Sequence, residues 1–306
     1  MTDLVIGVDG GGSKTRVIVA DAEGNHLADV AGHGSAMAPG RADQSAAVIG
    51  ELVRQALAVA GVGPRPRSLV AGVAGVGRPA ENRALTVALE DLEVAEHVVV
   101  VGDGEIALTD AFGTGPGIIL IAGTGSIAYG RSPANALARC GGWGPAFGDE
   151  GSGAWIGRKA LAIVASAADG REPATALTGA ILTAAQLNEP AELIPWAIAA
   201  APRELAALAP VVFNAASAGD ARANSLIGLA VEELLLHIRA LAFKLFMDER
   251  AAVPVAFSGG LLYKGSVLRK RLEQRLKSAV PGAQVRAAEI IAARGAVKAA
   301  LALATA

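Results

Sequence analysis

The chain has 306 residues, a net charge of −2, 52% hydrophobic residues and only 4% aromatics. That length accommodates two domains of ordinary size, and the composition supports large aliphatic cores with few stacking surfaces. There is no basic patch of the kind that nucleic-acid binding requires, and the single cysteine, Cys140, excludes a disulfide framework and a cysteine-held zinc or iron–sulfur site within one chain.

The four histidines (His26, His33, His97, His237) form no metal-binding spacing. No uncharged apolar run reaches about 18 residues, so no membrane-spanning helix is expected. Residues 1–3 lead straight into the first predicted strand and leave no room for a signal peptide, so the expected location is the cytoplasm.

Residues 4–8 are apolar and branched and predict a buried strand. Asp9 stands at its end. Gly10, Gly11 and Gly12 follow with little side-chain bulk, then Ser13, Lys14 and Thr15, and residues 16–20 predict a second strand. The unit is a hairpin with an acid and hydroxyls at its tip. Bare N–H groups in such a loop can surround phosphate oxygens, and Asp9 could face the accompanying metal. A P-loop is excluded because Ser13 interrupts the required spacing and a strand follows; the dinucleotide fingerprint fails for want of its third glycine. The alternative is a glycine-rich hairpin without a ligand.

Residues 26–31 predict a third strand. The loop over 32–40 holds Ser35 and Met37 and either touches a substrate or is only a connection. A helix is predicted over 45–60, a turn with two prolines over 61–67, a strand over 68–74, a helix over 81–89 and a strand over 97–101. Asp103 then stands at the end of that strand, ahead of a helix over 106–112. In open α/β sheets that edge is where ligands bind, but Asp is also a favoured helix cap.

The glycine-rich stretch 113–117 is the best boundary. Behind it the first design repeats: a strand over 118–122, a loop of Gly123, Thr124, Gly125 and Ser126, and a strand over 127–131. A repeated hairpin of this kind suggests two related domains, each offering one loop to a polyphosphate. Residues 140–152 then set glycines around Trp143, Phe147, Asp149 and Glu150. Carboxylates and an apolar ring face suit a sugar; alternatively the two aromatics anchor the loop to the core. Most of 154–248 predicts helix. In the longest helix Ile227, Val231, Leu234, Leu235, Ile238, Leu241 and Leu245 mark a core face. A strand over 253–257 ends in Ser258-Gly259-Gly260, either an approach to a flat ligand or a helix-entry turn. A basic amphipathic helix over 267–280, read as a solvated face, a short strand over 284–286 and a helix over 289–304 complete the chain.

VDGGGSKT, GDGEIAL, AGTGS, GGWGPAFGDEGS and SGG, in this order, resemble the BadF/BadG/BcrA/BcrD ATPase family, and within it the N-acetylglucosamine and glucosamine kinases. The resemblance implies the α/β actin/sugar-kinase/heat-shock-70 ATPase fold: two ribonuclease-H-like domains with an interdomain cleft. They are expected over 1–113 and over 114–288 with a helical insert, while 289–306 returns to the first domain. It implies ATP and Mg²⁺ as cofactors, transfer to the 6-hydroxyl of an amino sugar, and a homodimer that uses neither nucleic acid nor membrane. Carried over by motif, Asp103 is the general base and Asp9 organises Mg²⁺. Gly11, Gly12 and Ser13 border the ATP phosphates with Thr15 nearby, Thr124 of the second hairpin also meets ATP, and Gly259 with Gly260 borders adenine. Ser35, Met37, Gly125, Ser126, Gly142, Trp143, Gly144 and Asp149 face the sugar. Met37 stands where the kinases have an asparagine, which leaves the amino sugar open.

The resemblance also admits other roles. Dehydratase activators of this family carry a cluster held by two cysteines from each subunit, which one cysteine per chain does not supply. Sugar-sensing repressors carry a helix-turn-helix ahead of the first strand, and here that strand starts at Leu4.

Overall fold

The computed structural model describes residues 4–61, 65–246 and 252–305. Residues 1–3 and 62–64, which belong to the predicted lead into the first strand and to the proline turn, lie outside the described residues, as do 247–251 and 306. The chain forms two units, one from residues 1–115 with 290–306 and one from 116–289.

The first unit holds a five-stranded sheet of β1 (Val5–Gly10), β2 (Lys14–Ala20), β3 (His26–His33), β4 (Ser68–Val73) and β5 (His97–Gly102), in the order β3-β2-β1-β4-β5. β1 pairs antiparallel with β2 and parallel with β4, and β5 runs parallel to β4. Helices α1 (Ala42–Ala60) and α2 (Pro79–Asp91) carry Ile49, Val53, Leu85 and Leu89 into a core with Ile6, Val8 and Leu69. A smaller core joins Val5, Ile18 and Val70 to Ile106 of α3 (Asp103–Phe112) and to Ala293, Val297 and Ala300 of α11 (Ala292–Ala304).

Two glycines let α11 lie this close. A Cβ on Gly7 of β1 would sit 2.5 Å from the carbonyl oxygen of Ala293, and one on Gly295 would sit 1.9 Å from that of Ile106. Between α3 and α11 the side chain of Asp110 is fully buried. Its carboxylate accepts hydrogen bonds from Arg294 Nε at 2.6 Å, Lys298 Nζ at 3.0 Å and the Ile291 amide at 2.8 Å. Burial pushes the Asp110 carboxyl up, but these donors hold it below the usual carboxylate range.

The second unit repeats the connectivity. Strands β6 (Gly117–Ala122), β7 (Ser126–Arg131), β8 (Leu137–Gly141), β9 (Val253–Ser258) and β10 (Ala283–Val285) form a sheet in the order β10-β9-β6-β7-β8. β6 pairs antiparallel with β7 and parallel with β9, as β1 does with β2 and β4. The helices are α4 (Gly153–Ala168), α5 (Leu177–Ala185), α6 (Leu193–Ala199), α7 (Pro202–Ala206), α8 (Ala209–Ser217), α9 (Ala221–Leu245) and α10 (Val267–Ala279). All seven residues expected on the core face of α9 are buried.

Two readings need correction. β8 lies where no strand was expected: its five residues are mostly exposed or half-buried and carry Arg139, so no apolar alternation marks them. Helix α10 is not simply a solvated face. Arg269 is only 7% exposed, stacks 5.3 Å from the centroid of the Phe257 ring and bonds Glu273 at 2.7 Å.

Candidate active site

In the first unit the β1–β2 hairpin presents Gly11, Gly12 and Ser13. The Gly11 amide donates to the Lys14 carbonyl at 2.9 Å, which closes the turn. The Gly11 carbonyl accepts from the amides of Ser35 and Ala36, each at 3.1 Å. A Cβ on Gly34 would lie 2.2 Å from the Gly12 carbonyl oxygen, so the loop after β3 touches the hairpin backbone. Thr15 Oγ1 donates to Ser35 Oγ at 2.8 Å, and the two side chains are 0% and 2% exposed. Gly12 and Ser13 remain exposed at the tip. The hairpin is therefore held rigid from behind and left bare in front, as a phosphate cradle requires.

Thr15, Ser35 and Met37 thus differ from their expected role as open contacts. Met37 is 7% exposed and belongs to the first core, with its amide donating to the Ala74 carbonyl at 2.8 Å. Its side chain supports the loop by packing and offers little surface to a sugar.

The sheet register brings the two expected carboxylates to one edge. Asp9 pairs with Gly72 of β4, which pairs with Val101 of β5, two residues before Asp103. Gly72 seats α3: a Cβ there would lie 2.3 Å from Ile106 Cδ1. Asp103 is not the cap of α3. The cap position is Gly102, whose amide donates to Glu105 Oε1 at 3.2 Å, while Asp103 opens the first turn and its Oδ1 accepts from the Gly104 amide at 3.0 Å. Burial, and then the charge of Asp103, push the Asp9 carboxyl up to about 6; Arg16 and Lys14 pull weakly the other way. A cavity of about 510 Å³ opens beside this end of β5, lined by Arg78, Asn82, Arg83, Gly102 and Glu105 among others.

In the second unit the β6–β7 hairpin exposes Thr124. Its backbone is tied to α4, because the amides of Gly153 and Ala154 donate to the carbonyls of Gly123 at 2.8 Å and Thr124 at 3.1 Å. Asp149, only 9% exposed and at φ 58°, lies against Gly125, where a Cβ would stand 2.8 Å from Oδ2. Burial pushes the Asp149 carboxyl up, partly offset by the Gly144 and Ser126 amides that donate to it. Ser126 is 3% exposed and donates through Oγ to the Glu150 carbonyl at 2.7 Å, so it braces the loop.

Gly142 and Gly144 have φ of 68° and 89°, which L side chains rarely adopt. They carry Trp143 out of the core, 61% exposed, with Phe147 at 76%. Core anchoring therefore does not explain either aromatic. Arg139 stacks 4.7 Å from the Trp143 ring centroid, and Arg158 donates to the Pro145 carbonyl. Neither arginine was singled out by its surroundings in sequence. Gly259, at φ 93°, packs against Ala122, and the Leu261 amide donates to the Ala122 carbonyl at 3.0 Å. The second unit thus gathers Thr124, Gly125, Asp149, Gly259 and Gly260 at the end of β6.

The profile of a known family matches residues 6–302 of this architecture. The chain belongs to the BadF/BadG/BcrA/BcrD ATPase family. Among related proteins, the N-acetylmuramic acid/N-acetylglucosamine kinase of Clostridium acetobutylicum is 33% identical over 261 residues, 84% of this chain and 85% of its own. The N-acetyl-D-glucosamine kinase of Dictyostelium discoideum is 29% identical over 300 residues, 92% and 93% of the two chains. A crystal structure of a candidate N-acetylglucosamine kinase from Chromobacterium violaceum matches with a TM-score of 0.78 and 30% identity, over 97% of this chain and 98% of that one. Family membership and the fold of the actin-like sugar kinases are therefore established for this chain.

Nucleotide phosphates are commonly bound together with a hard divalent cation, and the residues present would suit one. Asp9 is a half-buried carboxylate pushed up by burial and then by the charge of Asp103, so a cation bound there would hold it ionised. Among the described residues no cluster of three or more His, Cys, Asp or Glu side chains forms a metal cage. A single carboxylate, completed by phosphates and water, is the usual arrangement for Mg²⁺.

Proposed function

We propose that this protein is an ATP-dependent amino-sugar kinase that phosphorylates the 6-hydroxyl of N-acetylglucosamine or a close relative. The observation that carries this reading is the pair Asp9 and Asp103 on one sheet edge, beside a bare glycine hairpin, in a chain similar over most of its length to N-acetylglucosamine kinases.

Gly11, Gly12 and Ser13 would border the phosphates, and Thr124 would meet ATP from the second unit. Gly259 and Gly260 would border the adenine, and Gly125, Gly142, Trp143, Gly144 and Asp149 the sugar. Mg²⁺ held through Asp9 would neutralise charge on the transferring phosphoryl group. Asp103 would accept the proton of the sugar hydroxyl as its oxygen bonds to the γ-phosphorus. The bond from that phosphorus to the bridging oxygen then breaks, and ADP leaves. Phosphoryl transfer asks mainly for positioning and charge neutralisation, which rigid loops and paired acids provide.

The dehydratase-activator role is disfavoured because Cys140 is the only cysteine. A second acceptor, an amino sugar bearing a carboxylate, is suggested by the similarity to a kinase of N-acetylmuramic acid and N-acetylglucosamine; in the cavity beside Gly102, Arg83 is the candidate contact for it, since Arg78 is already paired with Glu81 at 3.1 Å. The test is ADP release with N-acetylglucosamine, glucosamine, N-acetylmannosamine, N-acetylmuramic acid and glucose. Turnover with an N-acetylated amino sugar supports the reading, and no turnover above water-driven ATP hydrolysis with any of them removes it.

A further inference from the structure

The loop that presents Trp143 and Asp149 rests on helix α9, and one buried side chain meets both of its ends. His237 of α9 is 6% exposed. A Cβ on Gly141 would stand 2.4 Å from its Nε2, so the end of β8 that opens the loop lies directly on the imidazole ring. The same Nε2 is 3.8 Å from Oε2 of Glu150, where the loop closes. Nδ1 is 2.9 Å from the Glu233 carbonyl oxygen on the preceding turn. A carbonyl only accepts, so Nδ1 carries a proton and Nε2 is the atom left to face the loop. On that preceding turn Gly151 packs on Leu234, where a Cβ would lie 2.5 Å from Cγ.

Residues 142–149 thus span a compact loop whose ends are close together, a form in which binding residues are often carried. Ser126 of β7 joins the two ends through the backbone: its carbonyl accepts from the Gly142 amide at 3.0 Å, and its hydroxyl donates to the Glu150 carbonyl at 2.7 Å. His237 adds what those bonds do not supply. It fills the space under Gly141 and sets a buried ring nitrogen opposite the Glu150 carboxylate, which attracts an imidazole carrying both protons. Arg139 is engaged elsewhere, with Nη1 on the Gly141 carbonyl at 2.7 Å and its guanidinium over the Trp143 ring, so Glu150 is the charged group of the loop that faces His237.

We infer that His237 is a positioning residue for the 142–149 loop: by joining Gly141 to Glu150 it sets how Trp143 and Asp149 are presented. That the loop holds an amino sugar rests on the proposed kinase activity; that His237 orders the loop does not. One readout therefore needs no substrate. In a chain carrying Trp155→Phe and Trp196→Phe, Trp143 is the remaining tryptophan. Acrylamide quenching should rise about twofold with His237→Ala and with Glu150→Ala, as for a locally loosened segment. Glu150→Ala, on a side chain 34% exposed, carries the test if His237→Ala fails to fold. Glu150→Gln should stay near wild type, since its amide still bonds Nε2. In the otherwise unaltered chain, both alanine variants should raise KM for the sugar about tenfold, with kcat within about threefold and KM for ATP within about twofold. The double variant should be no worse than the worse single, as for two groups acting through one contact. Unchanged quenching, additive losses, a Glu150→Gln variant as impaired as Glu150→Ala, or an equal rise in KM for ATP overturns the inference. Increased quenching in a protein that turns over none of the sugars removes the kinase activity and upholds the hold of His237 on the loop.

Discussion

Asp9 and Asp103 reach the same edge of one sheet from strands separated by β4, and the charge of Asp103 adds to burial in holding the Asp9 carboxyl up to about 6. Two acids so placed have different tasks. Both are half-buried, but the one ending β1 beside the glycine hairpin suits a cation, and the one at the helix start suits an exchangeable proton.

Asp103→Asn keeps the size and the first-turn position of the side chain but removes its basicity. We expect kcat to fall by about 10²–10⁴, the usual contribution of a general base. Nucleotide affinity should stay within about threefold, since in the proposed reading Asp103 faces the acceptor and not the phosphates. Steady-state kinetics beside a fluorescent nucleotide titration separates the two, and retained turnover would deny Asp103 the role of base.

The raised pKa of Asp9 gives a pH dependence whose sign can be stated. Mg²⁺ needs the ionised form, so affinity for Mg²⁺-nucleotide should be flat above about pH 6 and fall by up to tenfold per unit below it. Without the cation the raised pKa favours folding at low pH. That contribution is fully present below 3.8 and is lost as pH rises through about 6. In metal-free buffer at pH 7, Asp9→Asn should therefore melt higher than the wild type while losing Mg²⁺-dependent nucleotide binding. A lower melting temperature would contradict this account.

Gly125→Ala probes the second unit. The new Cβ would stand 2.8 Å from Asp149 Oδ2, a carboxylate already held by two backbone amides at a left-handed φ. Asp149 must move, so KM for the sugar should rise about tenfold or more, the equivalent of losing roughly one hydrogen bond to a charged group. The KM for ATP should change less. Equal changes in both would mean that the hairpin itself had been displaced.

Asp110→Ala should be the most destabilising of these changes although it lies outside the site. It leaves Arg294, Lys298 and the Ile291 amide without their shared acceptor; the two cations are partly exposed and regain water, so the loss is about 1–3 kcal/mol, that of charged hydrogen bonds and a stranded amide. Urea unfolding of the full chain measures it. Because the folded pKa is depressed, the stabilisation is present above the unfolded carboxyl range and disappears as pH falls through the lower folded value. The wild type and Asp110→Ala should therefore converge in acid.

Much of the framework was legible because it rests on local chemistry. The strand–glycine–strand repeat at residues 4–20 and 118–131 marks a short glycine-rich turn between two apolar strands, and it appears in both sheets with the same pairing. What escaped were partnerships. Nothing local shows that Thr15 donates to Ser35, twenty residues away, or that Met37 packs inward while the loop around it stays polar. β8 escaped because an edge strand with few buried residues has no apolar alternation.

Read by itself, the chain settled residue type and period: which segments extend, which coil, where glycine permits a bare backbone, and which acids stand at strand ends. These follow from side-chain shape and spacing within a few residues. The tertiary structure decided which acid the neighbouring charge perturbs, which hydroxyls brace and which stay open, how α11 lies on β1, and which loop rests on His237 of α9. Burial and Coulomb interaction depend on distances between atoms remote in sequence, and only the folded packing sets those distances.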